Sequence, residues 1–336
     1  MIKRDMRCAV NPAVGDERFI HLQPAKKTCE VAVIGGGPAG MEAARISALR
    51  GHKVTIFEKS SELGGAMLYC CAVPGKNKMR WYADWLRQQI SKLGIEVKYR
   101  TETKVKDLKG FDVVLLATGG RIAKPDIPGI GLPFVTTFED VLRCKSTKCE
   151  YYPDDKAKPV ECGDNVLIWG DHFGAADAAE KLGCAGKKVT IVTENRDFAE
   201  WMEPCHRDVM LKRFACGNGE GLKSKTYKYP VRIIPDSSVL EIKKNGTVVI
   251  VSSTFERSQV KVDTVIMAKV EPNNGAYQSL LESGLTVVRI GDAKKVRNVR
   301  AAVTDGANVA LTIEAGVTLN ANNELISNLP TGIDLS

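Results

Sequence analysis

No apolar run in the sequence approaches the roughly 18–20 residues that cross a bilayer, so no membrane span is expected. The first residues lack the basic-then-apolar order of a secretory signal, which makes the cytoplasm the default location. Lysine and arginine are scattered, without runs of five or six and without interleaved aromatics. The net charge of +8 therefore reads as a solvated basic surface, or one facing an acidic protein, and not as a nucleic-acid footprint. No C-x-x-C occurs among the ten cysteines, which argues against a dithiol–disulfide reductase and a zinc ribbon. The adjacent Cys70 and Cys71, and Cys144 and Cys149 in C-x₄-C spacing, read as reduced structural thiols. No side chain stands out as a catalytic acid, base or nucleophile.

What is present is enough chain for two cores: 336 residues, 44% hydrophobic and 26% charged. "CEVAVIGGGPAGMEAARISALRGHKVTIFEKS" (29–60) reads as strand, glycine turn, helix and strand. Val31–Ile34 is a short apolar run bounded by glycines, as a buried parallel strand should be. Gly51 sits where a helix C-cap glycine belongs. An amphipathic helix over 78–94 follows, then strands at "IEVKYR" and "FDVVLLATGG", and a linker holding Pro125, Pro128 and Pro133. The same order returns in "DNVLIWGDHFGAADAAEKLGCAGKKVTIVTEN" (164–195), and "VDTVIMAKVEPN" echoes the earlier "FDVVLLATGG". The chain is thus expected to be α/β, with two Rossmann-like dinucleotide-binding domains, the second inserted into the first. Residues 29–130 and 285–336 form the first domain, 131–284 the second, and 1–28 an N-terminal segment.

Gly35-Gly36-Gly37-Pro38-Ala39-Gly40 matches G-x-G-x-x-G between a strand and a helix. Gly35 permits the tight turn, Gly37 lets a pyrophosphate approach the backbone, and Gly40 allows close helix–strand packing. Glu58, 23 residues beyond Gly35, can accept from the adenosine ribose hydroxyls. A dinucleotide is expected here. The second turn, Gly170-Asp171-His172-Phe173-Gly174-Ala175, keeps its first glycine but carries His172 at the middle position. A Cβ and imidazole there occupy space through which a pyrophosphate would approach. Two readings follow: NAD(P)H binds in a modified pocket formed by Gly170, Asp171, His172 and Gly174, or the domain keeps its fold without that cofactor. Glu194 and Arg196 after the second strand leave NADH and NADPH equally open.

Glu62-Leu63-Gly64-Gly65, "LLATGG" and "RIGDA" together resemble the FAD domain of two-dinucleotide flavoprotein reductases. That resemblance implies FAD, not NAD, at the first turn. It extends the FAD contacts beyond the turn and Glu58 to Lys59, Gly64, Gly65, Val105, Ala117, Thr118, Gly119, Gly291 and Asp292. "CAVNPAVGDE", "VAVIGGGPAGMEAA", "LGGAM" and "IGDAKKVRNVRAAVTDG" carry a second and wider resemblance. Nearly the whole chain resembles the flavoprotein half of the iron–sulfur flavoenzymes related to 2,4-dienoyl-CoA reductase and trimethylamine dehydrogenase. In that family a TIM barrel binds FMN and does the substrate chemistry. Three cysteines in C-x-x-C-x-x-x-C follow the barrel, and the fourth [4Fe–4S] ligand comes in a C-x-x-N-P segment. Cys8 of "CAVNP" matches that fourth ligand. The resemblance implies an FAD-binding electron-transfer subunit of a heteromeric enzyme. An FMN-binding TIM-barrel partner would supply the remaining cluster cysteines, and NAD(P)H or an electron-transfer flavoprotein would exchange electrons. A stand-alone NAD(P)H-dependent FAD oxidoreductase, and a scaffold holding ADP or structural FAD, are the alternatives.

Overall fold

The computed structural model describes residues 7–15, 17, 22–71, 73, 76, 78–143, 161–216 and 227–314. Cys144 and Cys149, and the polar stretch after Glu314, lie outside the described residues. The chain divides into two compact units: Met1–Leu68 with Arg80–Arg121 and Glu271–Ser336, and Tyr69–Met79 with Ile122–Val270. These boundaries differ from the sequence reading. The crossings fall near residues 121 and 271 rather than 130 and 285, and 69–79 group with the second unit.

From the start of the described chain the elements are β1 (Glu30–Ile34), α1 (Pro38–Leu49), β2 (Lys53–Phe57), the short α2 (Met67–Cys70), α3 (Lys78–Lys92), β3 (Glu96–Lys98), β4 (Val113–Leu116) and β5 (Gly120–Ile122). Then come β6 (Val135–Thr137), α4 (Phe138–Arg143), β7 (Asn165–Trp169), α5 (Phe173–Cys184), β8 (Lys188–Val192), α6 (Pro204–Cys216) and β9 (Arg232–Ile234). An antiparallel sheet of β10 (Ser237–Ile242), β11 (Thr247–Ser252) and β12 (Arg257–Lys261) follows. β13 (Thr264–Met267), β14 (Val270–Pro272), α7 (Tyr277–Glu282), β15 (Val287–Arg289) and α8 (Val299–Thr312) complete the order. β5 and β14 pair in a two-stranded sheet.

The first unit is built on a parallel sheet of order β15-β4-β1-β2-β3. Val31, Ala32 and Val33 are fully buried, as a central strand covered on both faces requires. α1 packs on α8 through small residues. A Cβ on Gly306 would lie 2.3 Å from the Ala39 carbonyl oxygen, so glycine is what lets these two helices approach. Gly51 takes φ +95° beyond α1, the left-handed conformation expected of a terminating glycine.

The second unit repeats the plan in a sheet of order β6-β13-β7-β8-β9. β7, β8 and β13 take the places of β1, β2 and β4. The fifth strand differs in its place along the chain: β15 pairs with β4 and follows it, whereas β6 pairs with β13 and precedes it. Both sheets are mixed into α/β units with parallel strands, and the Rossmann-like class holds.

Candidate cofactor site

The first glycine turn has the three properties expected of it. Gly35 has φ +106°, donates its N–H to the Phe57 carbonyl at 2.8 Å, and has no room for a Cβ, which would lie 2.4 Å from the Ala117 oxygen. A Cβ on Gly40 would lie 2.0 Å from the Gly35 oxygen, so helix and strand touch there. Gly37 is the opposite case: a Cβ would meet nothing within 4 Å. It caps α1 without any side-chain bond, and Pro38 occupies the first turn. The start of α1 thus has no side-chain cap and follows a glycine with room at its Cβ position, the arrangement that receives a phosphate.

Glu58, at the end of β2, is buried and already oriented. Its Oε2 accepts from the Gly36 N–H and its Oε1 from the Ser60 N–H, each at 2.7 Å. Each oxygen keeps a lone pair for a ribose hydroxyl. Gly64 donates to the Gly36 carbonyl at 2.8 Å, and a Cβ on Gly65 would lie 3.0 Å from the Gly37 Cα. This second glycine pair closes on the first. Arg87 of α3 holds that loop, donating from Nε to the Leu63 carbonyl at 2.8 Å and pairing with Glu62 at 2.8 Å.

Gly291, at φ +60°, sits against α1, where a Cβ would lie 2.8 Å from the Ala39 Cβ. Its N–H donates to Asp305 Oδ2 at 3.0 Å, and Asp305 is paired in turn with Arg297. Asp292 accepts from the Arg297 N–H at 2.9 Å, and burial pushes its carboxyl above the usual range. At the end of β4, the Thr118 hydroxyl donates to the Asn273 carbonyl, and Gly119 has φ +74° with open space where a Cβ would be. Lys59 is exposed, as is Val105, which opens the short turn Val105–Leu108. Arg87, Arg297 and Asp305 escape a sequence reading because each acts across 14 or more residues or through a backbone atom, except the local Arg297–Asp305 pair.

The second turn is built differently. Gly170 keeps the tight bend at φ +136°, donating to the Val192 carbonyl at 2.9 Å. His172 is the N-cap of α5, with Nδ1 accepting from the Gly174 N–H at 3.2 Å. Burial lowers its pKa to about 4, so the ring is neutral at physiological pH and carries its proton on Nε2. That atom is buried without a hydrogen-bond partner. The Phe138 ring occupies the space a Cβ on Gly174 would need. Asp171 accepts from the Ala199 N–H at 3.0 Å, Trp201 Nε1 at 2.8 Å and Asn195 Nδ2 at 2.7 Å. These bonds tie the segment after β8 to the turn itself.

The acid after β8 is also out of place. Pairing aligns Phe57 with Ile34 and Val192 with Trp169, so Thr193, not Glu194, stands where Glu58 stands in the first unit. Thr193 is buried, and its Oγ1 accepts from the Asn195 N–H at 3.1 Å. Glu194 instead pairs with Lys269 at 2.7 Å and accepts from the Ser238 hydroxyl at 2.6 Å. Lys269 holds its carboxyl below the usual range, after the opposing effect of partial burial.

Among the thiols, burial pushes Cys29 up to about 11 and Cys70 up to about 12, so both remain protonated. Cys8 is half-buried and close enough to Tyr82 of α3 to act on it electrostatically. Among the described residues no three His, Cys, Asp or Glu side chains come together as a metal site. One thiol does not by itself make a [4Fe–4S] site. No helix among the described residues is long and apolar enough to cross a membrane.

The profile of the family described as "Pyridine nucleotide-disulphide oxidoreductase" matches residues 29–294. The chain belongs to this family. Within it the chain is 33% identical over 315 residues to an NADH oxidase of Thermoanaerobacter brockii, covering 92% of this chain and 44% of that protein. It is 32% identical over 311 residues to a cinnamate reductase of Clostridium sporogenes, covering 91% and 42%. Among solved structures, a 2-naphthoyl-CoA reductase superposes with a TM-score of 0.75 at 28% identity, covering 92% of this chain and 44% of that one. The chain spans a little under half the length of these relatives. Membership and these relatives support a flavin-dependent oxidoreductase, in a family whose cofactors are FAD and NAD(P)H. The first turn fits the first of these: an uncapped helix N-terminus, a glycine with open space and an oriented acid. The second turn does not fit the other.

Proposed function

We propose that the chain is an FAD-binding electron-transfer subunit of a multi-subunit iron–sulfur flavoenzyme. The observation that carries the reading is the first turn, where α1 presents uncapped amides beside Gly37 while Glu58 is held between two backbone N–H groups. Gly35, Gly37, Ala39, Gly40, Gly64 and Gly65 would hold the pyrophosphate, Glu58 the adenosine ribose, and Gly291 with Asp292 the ribityl side. FAD bound there supplies one- and two-electron redox chemistry. The residues of the chain bind it, orient it and hold the Glu58 carboxylate in place.

The partner in this reading is an FMN-binding TIM barrel that carries the other three cluster cysteines, with Cys8 as the fourth ligand. Relatives named as reductases of cinnamate and of 2-naphthoyl-CoA, each more than twice as long as this chain, support placing substrate chemistry outside the FAD unit. An electron-transfer flavoprotein or NAD(P)H would be the external carrier. The name of the NADH oxidase relative favours a second reading, a stand-alone NAD(P)H-dependent FAD oxidoreductase, but the second turn weighs against it.

The test is to purify the native assembly with wild-type chain or with Cys8→Ala and measure iron and flavin. The reading expects four irons per chain in the wild type, FAD and FMN together, and loss of iron in the variant. Iron that stays at four in Cys8→Ala contradicts the ligand role. A wild type holding FAD alone that is rapidly reduced by NADH supports the stand-alone reading instead.

A further inference from the structure

The two units share a topology but treat their dinucleotide clefts in opposite ways. In the first, a helix N-terminus is left without a cap, a glycine stands in open space, and a carboxylate waits at the strand end. In the second, each of those features is occupied by the chain itself. We infer that the second cleft is latched shut by its own side chains and takes neither NADH nor NADPH, so that nicotinamide is not the electron carrier of this unit. The inference concerns the second unit only and rests on the family reading, not on FAD binding at the first.

Four features make the latch, the second and third sharing Asp171. The helix N-terminus of a Rossmann unit binds pyrophosphate through its first free amides. Here the Gly174 amide is already bonded to His172 Nδ1, and the imidazole stands where a glycine normally lets the diphosphate in. Neutral at physiological pH, that ring offers an anion no charge in return. Next to it, Asp171 places a carboxylate in the turn, held by three neutral donors. A second anion brought to this point would meet like charge.

The third contact closes the slot between the turn and the strand end, where the adenosine half lies in this fold. Asp171 pulls Ala199 and Trp201 onto the turn, and the Trp201 ring lies 4.0 Å from Phe173 between centroids. Ala199 is held at φ +60°, a left-handed conformation that disfavours any residue with a Cβ. It is fully buried, so the strained backbone is part of a packed segment. The fourth contact concerns the ribose acid. Thr193 has replaced it, and the nearest carboxylate, Glu194, is neutralised by Lys269, whose ammonium also lies 5.1 Å from the Trp169 ring centroid. Lys269 is the residue of the strand end "AKV", where a glycine often stands.

The experiment uses the purified FAD-loaded protein in its native assembly. FAD released by acid and separated chromatographically from FMN confirms the first site, and NADH and NADPH are then titrated separately by calorimetry. The inference expects no saturable binding of either nucleotide at the second unit, meaning a Kd weaker than ~1 mM. Saturable one-to-one binding at micromolar concentration overturns it. A protein that lacks FAD but also ignores nicotinamide separates failure of the FAD reading from failure of this one. The opened variant His172→Gly with Asp171→Ala is titrated alongside and, if folded by circular dichroism, is expected to bind at least ~10-fold tighter than wild type. A folded variant no better than wild type contradicts the assignment of the latch to these residues. The wild-type titration decides the main point even if the variant does not fold.

Discussion

The neutral His172 at the start of α5 makes an acid-lability prediction with a worked size. Its folded pKa of about 4 lies below the ordinary imidazole value of 6.5 because burial disfavours the imidazolium. Between those values the unfolded chain binds more protons than the folded one, so stability rises with pH across the window and is lost as pH falls from 6.5 toward 4. At 1.36 kcal/mol per unit, the cost between pH 7 and 4.5 is roughly 2 kcal/mol. Protonation also removes the Nδ1 acceptor from the Gly174 N–H, a loss of the helix cap that acts in the same direction as the burial penalty. His172→Asn keeps an N-cap acceptor but cannot titrate. Urea midpoints of wild type and variant at pH 7 and pH 4.5 give the difference, because all other titrating groups are common to both. Wild type should lose roughly 2 kcal/mol more than the variant. The chain has four histidines, so NMR titration of their ring protons reads the same pKa directly. Equal acid losses, or a His172 resonance titrating near 6.5, would refute the reasoning.

Three further outcomes follow from the packing and the cradle. Gly37→Val should fold normally, since a Cβ there meets nothing within 4 Å, but lose FAD, which flavin absorbance of the purified variant checks. Glu58→Ala leaves the Gly36 and Ser60 amides without their acceptor and should cost about 1–3 kcal/mol in urea unfolding as well as flavin affinity. Gly306→Val puts side-chain atoms where the Ala39 carbonyl lies 2.3 Å from the Cβ, and should destabilise the first unit by about 1–3 kcal/mol in urea unfolding.

Much of this architecture was legible because its determinants are local. A glycine that must bend, as at Gly35 and Gly170, or approach closely, as at Gly40, announces itself by residue type and by its place between strand and helix. The damage at His172 was visible for the same reason, since only the absence of a Cβ suits the middle position. What that histidine does was not visible, because its cap on Gly174 and its missing Nε2 partner depend on packing. The Asp171 latch joins residues 24 to 30 positions apart and leaves no periodic trace. The shift of the acid from Thr193 to Glu194 is a one-residue register effect, and a strand end turns opposite side chains to opposite faces. Aligning "HKVTIFE" with "KKVTIVT" finds it, whereas searching for the nearest carboxylate does not. The exchanged places of β15 and β6, and the antiparallel strands β10 to β12, lay beyond a motif-led reading for the same reason: strand neighbours are set by long-range pairing.

The central claim is that the first turn is a working FAD site and the chain one flavin-bearing part of a larger redox assembly. Acid release of the flavin from natively purified protein, followed by chromatographic identification against FAD and FMN, tests it most directly when set beside Gly37→Val. The account predicts one FAD per chain in the wild type and none in the folded variant. A wild type without FAD, or a variant that keeps its full FAD content, contradicts it.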